Sequence, residues 1–217
     1  MTRLHSLRVG LCIMSLPAVG QGQGRMTGHI EDSTSTSVAG ASISLISLDR
    51  VLHAESSIDG YFEFTGIAGG AYELVVSAPG FAKQKLSIDF SEETASPISI
   101  TLQVGNGPCG EPLLVEYGSS DLKGPHLAGI IRGYRGKPKA KAEVTLQLTG
   151  ERQPVFRSTP SQQGKFAFDE VPPGYYDLRI AQKGYWPIEI KRLIIPRENG
   201  VFVDLGMTQR NTLFLCQ

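Results

Sequence analysis

DGYFEFTGIAGGAYELVVSAPGF, Asp59 to Phe81, and QGKFAFDEVPPGYYDLRIAQKGY, Gln163 to Tyr185, are two versions of one pattern. Each has a Gly, a short aromatic run, a two-residue break and a Gly before an aromatic. An alternating apolar run follows, then Gly-Phe or Gly-Tyr. Gly60 and Gly164 suit positive φ in a tight turn, after which Phe62/Phe64 and Phe166/Phe168 send alternate rings to one side. Gly70 and Gly174 close the next loop, which Pro172-Pro173 stiffens in the second version where the first has Ala68-Gly69. Gly80-Phe81 and Gly184-Tyr185 mark the next corner.

The repeat extends in both directions. MTGHI (Met26 to Ile30) matches LAGII (Leu127 to Ile131), AGASISL (Ala39 to Leu45) matches AKAEVTL (Ala140 to Leu146), and SPISITL (Ser96 to Leu102) matches the run from Gly200 to Leu205. Each copy is far longer than a solenoid repeat and has the size of a small domain. Inside a copy the apolar residues alternate: Tyr72, Leu74 and Val76 with Glu73, Val75 and Ser77, and Tyr176, Leu178 and Ile180 with Asp177, Arg179 and Ala181. Ile43, Leu45 and Leu48, and Val144, Leu146 and Leu148, read as further core positions. Period 2 with turn signals every 8 to 12 residues predicts an all-β protein, and no long stretch has a helical period.

These motifs, G-x-I, then A-x-V/I-x-L, G-x-F-x-F, and G-x-Y-x-L with a later G-F/Y, resemble the carboxypeptidase regulatory-like domain. That family is similar to transthyretin in fold, so the resemblance implies two tandem seven-strand Greek-key β-sandwiches. They span residues 25–104 and 127–208, with a connector over 105–126 and a tail over 209–217. PLLVEY in the connector reads as one extra strand, free to join the edge of either sandwich. Domains of this kind are grafted onto many exported proteins, so the motifs specify fold far better than function.

Charge and cysteine content bound the function classes. The formal net charge is zero, offering no global attraction for nucleic acid or an anionic membrane. The halves differ, however: residues 25–104 carry 4 basic and 10 acidic residues, and residues 105–217 carry 15 and 11. Arg3 and Arg8, the apolar run Val9 to Leu16, and Ala18-Val19-Gly20 read as a signal peptide over residues 1–20. The expected location is therefore secreted, periplasmic or cell-envelope. No segment of the mature chain is apolar enough to span a membrane. Cys109 and Cys216 would then remain, as a disulfide, as two free thiols or as an intermolecular bridge.

A search for chemistry gives little. His29 and His53 precede Glu31 and Glu55 by two residues, the wrong spacing for the H-x-x-E zinc pair of metallocarboxypeptidases. No G-x-S-x-G or phosphate-binding Gly loop occurs, and Val76 and Ile180 stand where an isopeptide-forming acid would be needed. No catalytic residue, metal ligand or cofactor is expected. RGYRGKPKAK, Arg132 to Lys141, is the densest basic run, but export and the acidic first half argue against nucleic acid. The remaining candidates are Trp186, Tyr175 and Tyr134, whose rings would stack on sugars if exposed together. The expectation is a noncatalytic structural or interaction protein whose partner is a protein or polysaccharide of the envelope. Carbohydrate binding through the second domain is the alternative.

Overall fold

The computed structural model describes residues 24–91, 96–105, 113–118, 124, 126–151, 153 and 156–210, the side chains of Leu113 and Tyr134 excepted. The signal-like segment, Cys109 and Cys216 lie outside the described residues. Two β-sandwiches account for the remainder, and no α-helix occurs among the described residues.

The first sandwich contains β1 (Gly24–Asp32), β2 (Ser42–Ile46), β3 (Val51–Glu55), β4 (Tyr61–Ile67), β5 (Gly70–Ser77), β6 (Gln84–Phe90) and β7 (Ile98–Leu102). Its sheets are ordered β4-β1-β7 and β3-β2-β5-β6. The connector supplies β8 (Leu113–Tyr117), and the second sandwich follows with β9 (Leu127–Arg132), β10 (Glu143–Leu148), β11 (Phe156–Ser158), β12 (Lys165–Phe168), β13 (Gly174–Ala181), β14 (Ile188–Ile195) and β15 (Val201–Gly206). Its sheets are β12-β9-β15-β8 and β11-β10-β13-β14. The extra strand therefore joins the second sandwich, running antiparallel to β15 from Leu113 opposite Leu205 to Tyr117 opposite Val201. In the first sandwich β7 has no such neighbour among the described residues.

The doubled motif builds the same details twice. Gly60 and Gly164 have φ of 77° and 76°. Their carbonyls accept the Ile30 and Ile131 N–H groups, each at 2.8 Å. A Cβ at either position would collide with the carbonyl oxygen of that same isoleucine. Phe62 and Phe64 meet edge to face with centroids 6.0 Å apart, as do Phe166 and Phe168. The tyrosine of G-x-Y has a role not foreseen from sequence. The Tyr72 hydroxyl donates to the Ala68 carbonyl at 2.9 Å and the Tyr176 hydroxyl to the Pro172 carbonyl at 2.7 Å, each fastening the preceding loop. Burial pushes both phenols above their ordinary pKa.

Two expected core positions are corrected. Leu48 is 37% exposed, because β2 ends at Ile46 and Leu48 falls in the turn beyond it. Leu148 is 40% exposed, at the last residue of β10, although Tyr176 in register with it is buried.

The two sandwiches share a seam. Ile46, Val51 and Val75 of the first pack into the core of the second, beside the buried ring of Tyr117. Backbone bonds run from the Arg197 and Glu198 N–H groups to the Leu48 and Asp49 carbonyls at 2.8 and 3.1 Å. The Asn199 side-chain oxygen accepts the Val51 N–H at 2.9 Å. Burial, and secondarily the negative charge of Glu73, raise the Tyr117 phenol above its ordinary pKa. Its hydroxyl faces the Ile194 backbone without meeting hydrogen-bond geometry.

Candidate functional site

Alternation along a strand gives every sheet an inner and an outer face, and the two equivalent sheets of this chain differ sharply on the outside. On β4-β1-β7 the outward residues are polar. Arg25 pairs with Glu63 at 2.6 Å, the His29 ring sits 4.9 Å from Tyr61, and Thr27, Glu31, Ser99 and Thr101 complete the surface.

On β12-β9-β15-β8 the outer face is apolar at its centre. Phe202 of β15 is in register with Ala128 of β9, and Ala128 with Ala167 of β12. One row along, Asp204 is in register with Ile130, and Ile130 with Lys165. Leu114 of β8, 44% exposed, lies opposite Asp204, and Glu116 lies opposite Phe202. The half-buried Phe202 ring thus stands beside two alanines. A concavity of about 520 Å³ opens there, lined by Ala128, Gly129, Ile130, Lys165, Ala167 and Phe202 among others. Gly129 forms part of the floor, where a Cβ would strike the Val203 carbonyl and Phe166. The charges are sorted around the apolar centre: Lys165 and Arg132 lie on the β12 and β9 half, Glu116 and Asp204 on the β15 and β8 half. Arg132 and Asp204 meet at 3.1 Å.

The aromatic candidates lie elsewhere. Trp186 is 55% exposed at the corner between β13 and β14, with the Arg210 guanidinium 5.4 Å from its ring centroid. Its neighbour Tyr185 accepts a hydrogen bond from the Lys139 ammonium, which with the Gln209 side chain lowers the phenol pKa. That contact joins the basic run to the Trp186 corner. Tyr134 begins a short 3-10 turn, Tyr134–Gly136, in the same run. Tyr175 is half-buried at the opposite end of β13, beneath the Arg192 guanidinium at 5.2 Å. A strand rise of ~3.3 Å per residue puts about 20 Å between Tyr175 and the far end of that strand. Trp186 and Tyr175 are thus not brought together into one platform.

Other polar groups have structural partners. Burial alone would raise the Asp177 carboxyl. The Arg192 N–H, the Lys191 ammonium and the Thr149 hydroxyl outweigh it and hold the group below its ordinary range. Asp177 thereby supports a bulge between β13 and β14 where Arg192 has φ 52°. His29 and His53 hydrogen-bond Ser37 and Ser44. No group of three His, Cys, Asp or Glu side chains fit to hold a metal occurs among the described residues. Nor is any described helix long and apolar enough to cross a membrane.

Among solved structures, the TIE protein of Bacillus anthracis is 13% identical over 87% of this chain and 34% of its own, at a TM-score of 0.32. A streptococcal ancillary pilin is 14% identical over 89% of this chain and 64% of its own, at 0.32. The minor pilin of Streptococcus agalactiae is 12% identical over 89% of this chain and 99% of its own, also at 0.32. The chain thus spans about a third to two thirds of the first two. No curated protein matches it in sequence. The profile of the carboxypeptidase regulatory-like domain matches twice, at residues 25–103 and 126–208. The chain belongs to the carboxypeptidase regulatory-like domain family and carries two copies of that domain.

Proposed function

We propose that the protein is a noncatalytic structural and interaction module, exported to the cell envelope or beyond it, in which the second sandwich carries the binding surface. The observation behind this reading is the apolar outer face around Phe202, set against the polar face at the same place in the first sandwich. The seam through Val51, Val75 and Asn199 supports the reading further, since it lets the first sandwich hold the second in a fixed orientation. The basic and apolar residues near the N-terminus support export.

A second reading, carbohydrate binding, rests on the exposed Trp186 ring, with Tyr134 in the adjoining basic run. Two measurements separate them, the first made with the chain mixed into an extract of envelope proteins and the second with the purified chain alone. A photo-crosslinking residue replaces Leu114 in one sample and Trp186 in another, and the unmodified chain is screened on a glycan array. Protein adducts through position 114 only, abolished by Phe202→Ser, support the interaction module. Saturable glycan retention that Trp186→Ala removes supports the second reading and displaces the first.

A further inference from the structure

We infer that the outer face of β12-β9-β15-β8 is a self-complementary surface, and that its partner is a second copy of this chain bound face to face about a two-fold axis. This rests on the interaction reading and names the partner of that same face.

A two-fold interface must present each feature together with its complement. This face does so twice. Its knob, Phe202, stands next to its hollow, formed by Ala128 and Ala167 in the same row. Its cations, Lys165 and Arg132, occupy the half opposite its carboxylates, Glu116 and Asp204. Rotation about an axis parallel to the strands, between β9 and β15, lays β12 of one copy over β8 of the other. It also lays β9 over β15, leaving the rows in step. Phe202 of each copy then enters the alanine hollow of the other, and the long Lys165 side chain reaches diagonally toward Glu116 across the interface. Neither Lys165 nor Glu116 forms an ion pair among the described residues, so both are free to make this contact.

Aligned packing of this kind is an ordinary way for two sheets to meet. The equivalent face of the first sandwich cannot do it. Glu63 stands where Ala167 does, Thr27 where Ala128 does, and Pro97, just before β7, where Phe202 does, giving neither aromatic knob nor apolar hollow. Four strands ~4.8 Å apart and five residues tall give a footprint near ~20 by ~17 Å. That is well below the roughly 800 Å² per partner of a standard interface, so the dimer is weak and concentration-dependent.

Sedimentation velocity on the full chain, from micromolar to near-millimolar concentration, tests this with Lys165→Glu and Glu116→Lys. Both positions are exposed, so neither change touches the core. The unaltered chain is expected to pass from monomer to dimer. Each single reversal places like charges together in both symmetric contacts and weakens association by about tenfold or more. In an equimolar mixture of the two variants, both contacts between positions 165 and 116 again join opposite charges, and the dimer recovers. Phe202→Ala abolishes it while Trp186 fluorescence stays native. A chain that remains monomeric throughout, or variants whose mixture fails to recover association, overturns the dimer. Neither result removes the interaction reading, which stands or falls on the crosslinking at position 114.

Discussion

Strands β1 and β9 occupy the same place in two copies of one domain, yet they keep faith with each other on only one side. Inward, Ile30 corresponds to Ile131, Phe62 to Phe166 and Phe64 to Phe168, and all are buried. Outward, Thr27 becomes Ala128, His29 becomes Ile130, Glu63 on the neighbouring strand becomes Ala167, and Pro97 at the start of β7 becomes Phe202. The period-2 geometry of a strand separates the two sets of constraints. Packing holds one set almost fixed, while the other changes at little cost to the fold. Divergence on the outer face leaves the shared core intact while giving each copy a surface of its own.

That division is open to attack first through the cores. Leu74 and Leu178 are equivalent and fully buried. Leu74→Ala and Leu178→Ala should each cost about 2–5 kcal/mol in urea unfolding, because each leaves a cavity. A much smaller loss at one site would mean that the copies differ inside as well as out.

Asn199→Ala probes whether the copies are independent. It leaves the Val51 N–H without its acceptor and should cost about 1–3 kcal/mol. If the two sandwiches unfold in one transition, calorimetry of this variant should show that transition splitting or broadening. Unchanged unfolding would make the seam a mere contact.

Asp177 gives a pH signature confined to the second copy. Its folded-state pKa is depressed, so its stabilisation is fully present above the unfolded value of about 3.9 and is lost as pH falls through the lower folded value. Asp177→Asn should therefore be less stable than the unaltered chain near neutrality by about 1 kcal/mol, with the difference closing below about pH 4. An acid titration of the urea midpoint reads it directly, and a pH-independent difference would assign the effect to packing. The smallest effect belongs to the polar face. Arg25→Ala removes an exposed pair with Glu63 and should cost little, all of it gone in high salt.

The fold was legible because strand alternation and turn glycines are local signals, and the second copy corroborated the first. Leu48 misled because β2 stops two residues before it, and Leu148 because alternation runs to the last residue of β10 while burial does not. The sheet joined by PLLVEY was not legible, since its alternation suits either edge and the choice depends on where two domains meet in space. The outer face of the second sandwich did leave a trace: LAGII is apolar at every residue, which a strand with one wet face has no reason to be. Trp186 and Tyr175 look close when only their roles are compared. The length of β13 between them is what keeps them apart.

The position of β8 also bears on how this protein is to be cut. The family boundary of the second copy falls at residue 126, but the strand that finishes its sheet lies upstream, at Leu113–Tyr117. A fragment expressed from residue 126 would leave β15 with a bare row of N–H and C=O groups along five residues, an invitation to cross-chain aggregation. During synthesis that finishing strand emerges from the ribosome before the sheet it completes, and must wait for β15, the last strand of the second sandwich, to arrive.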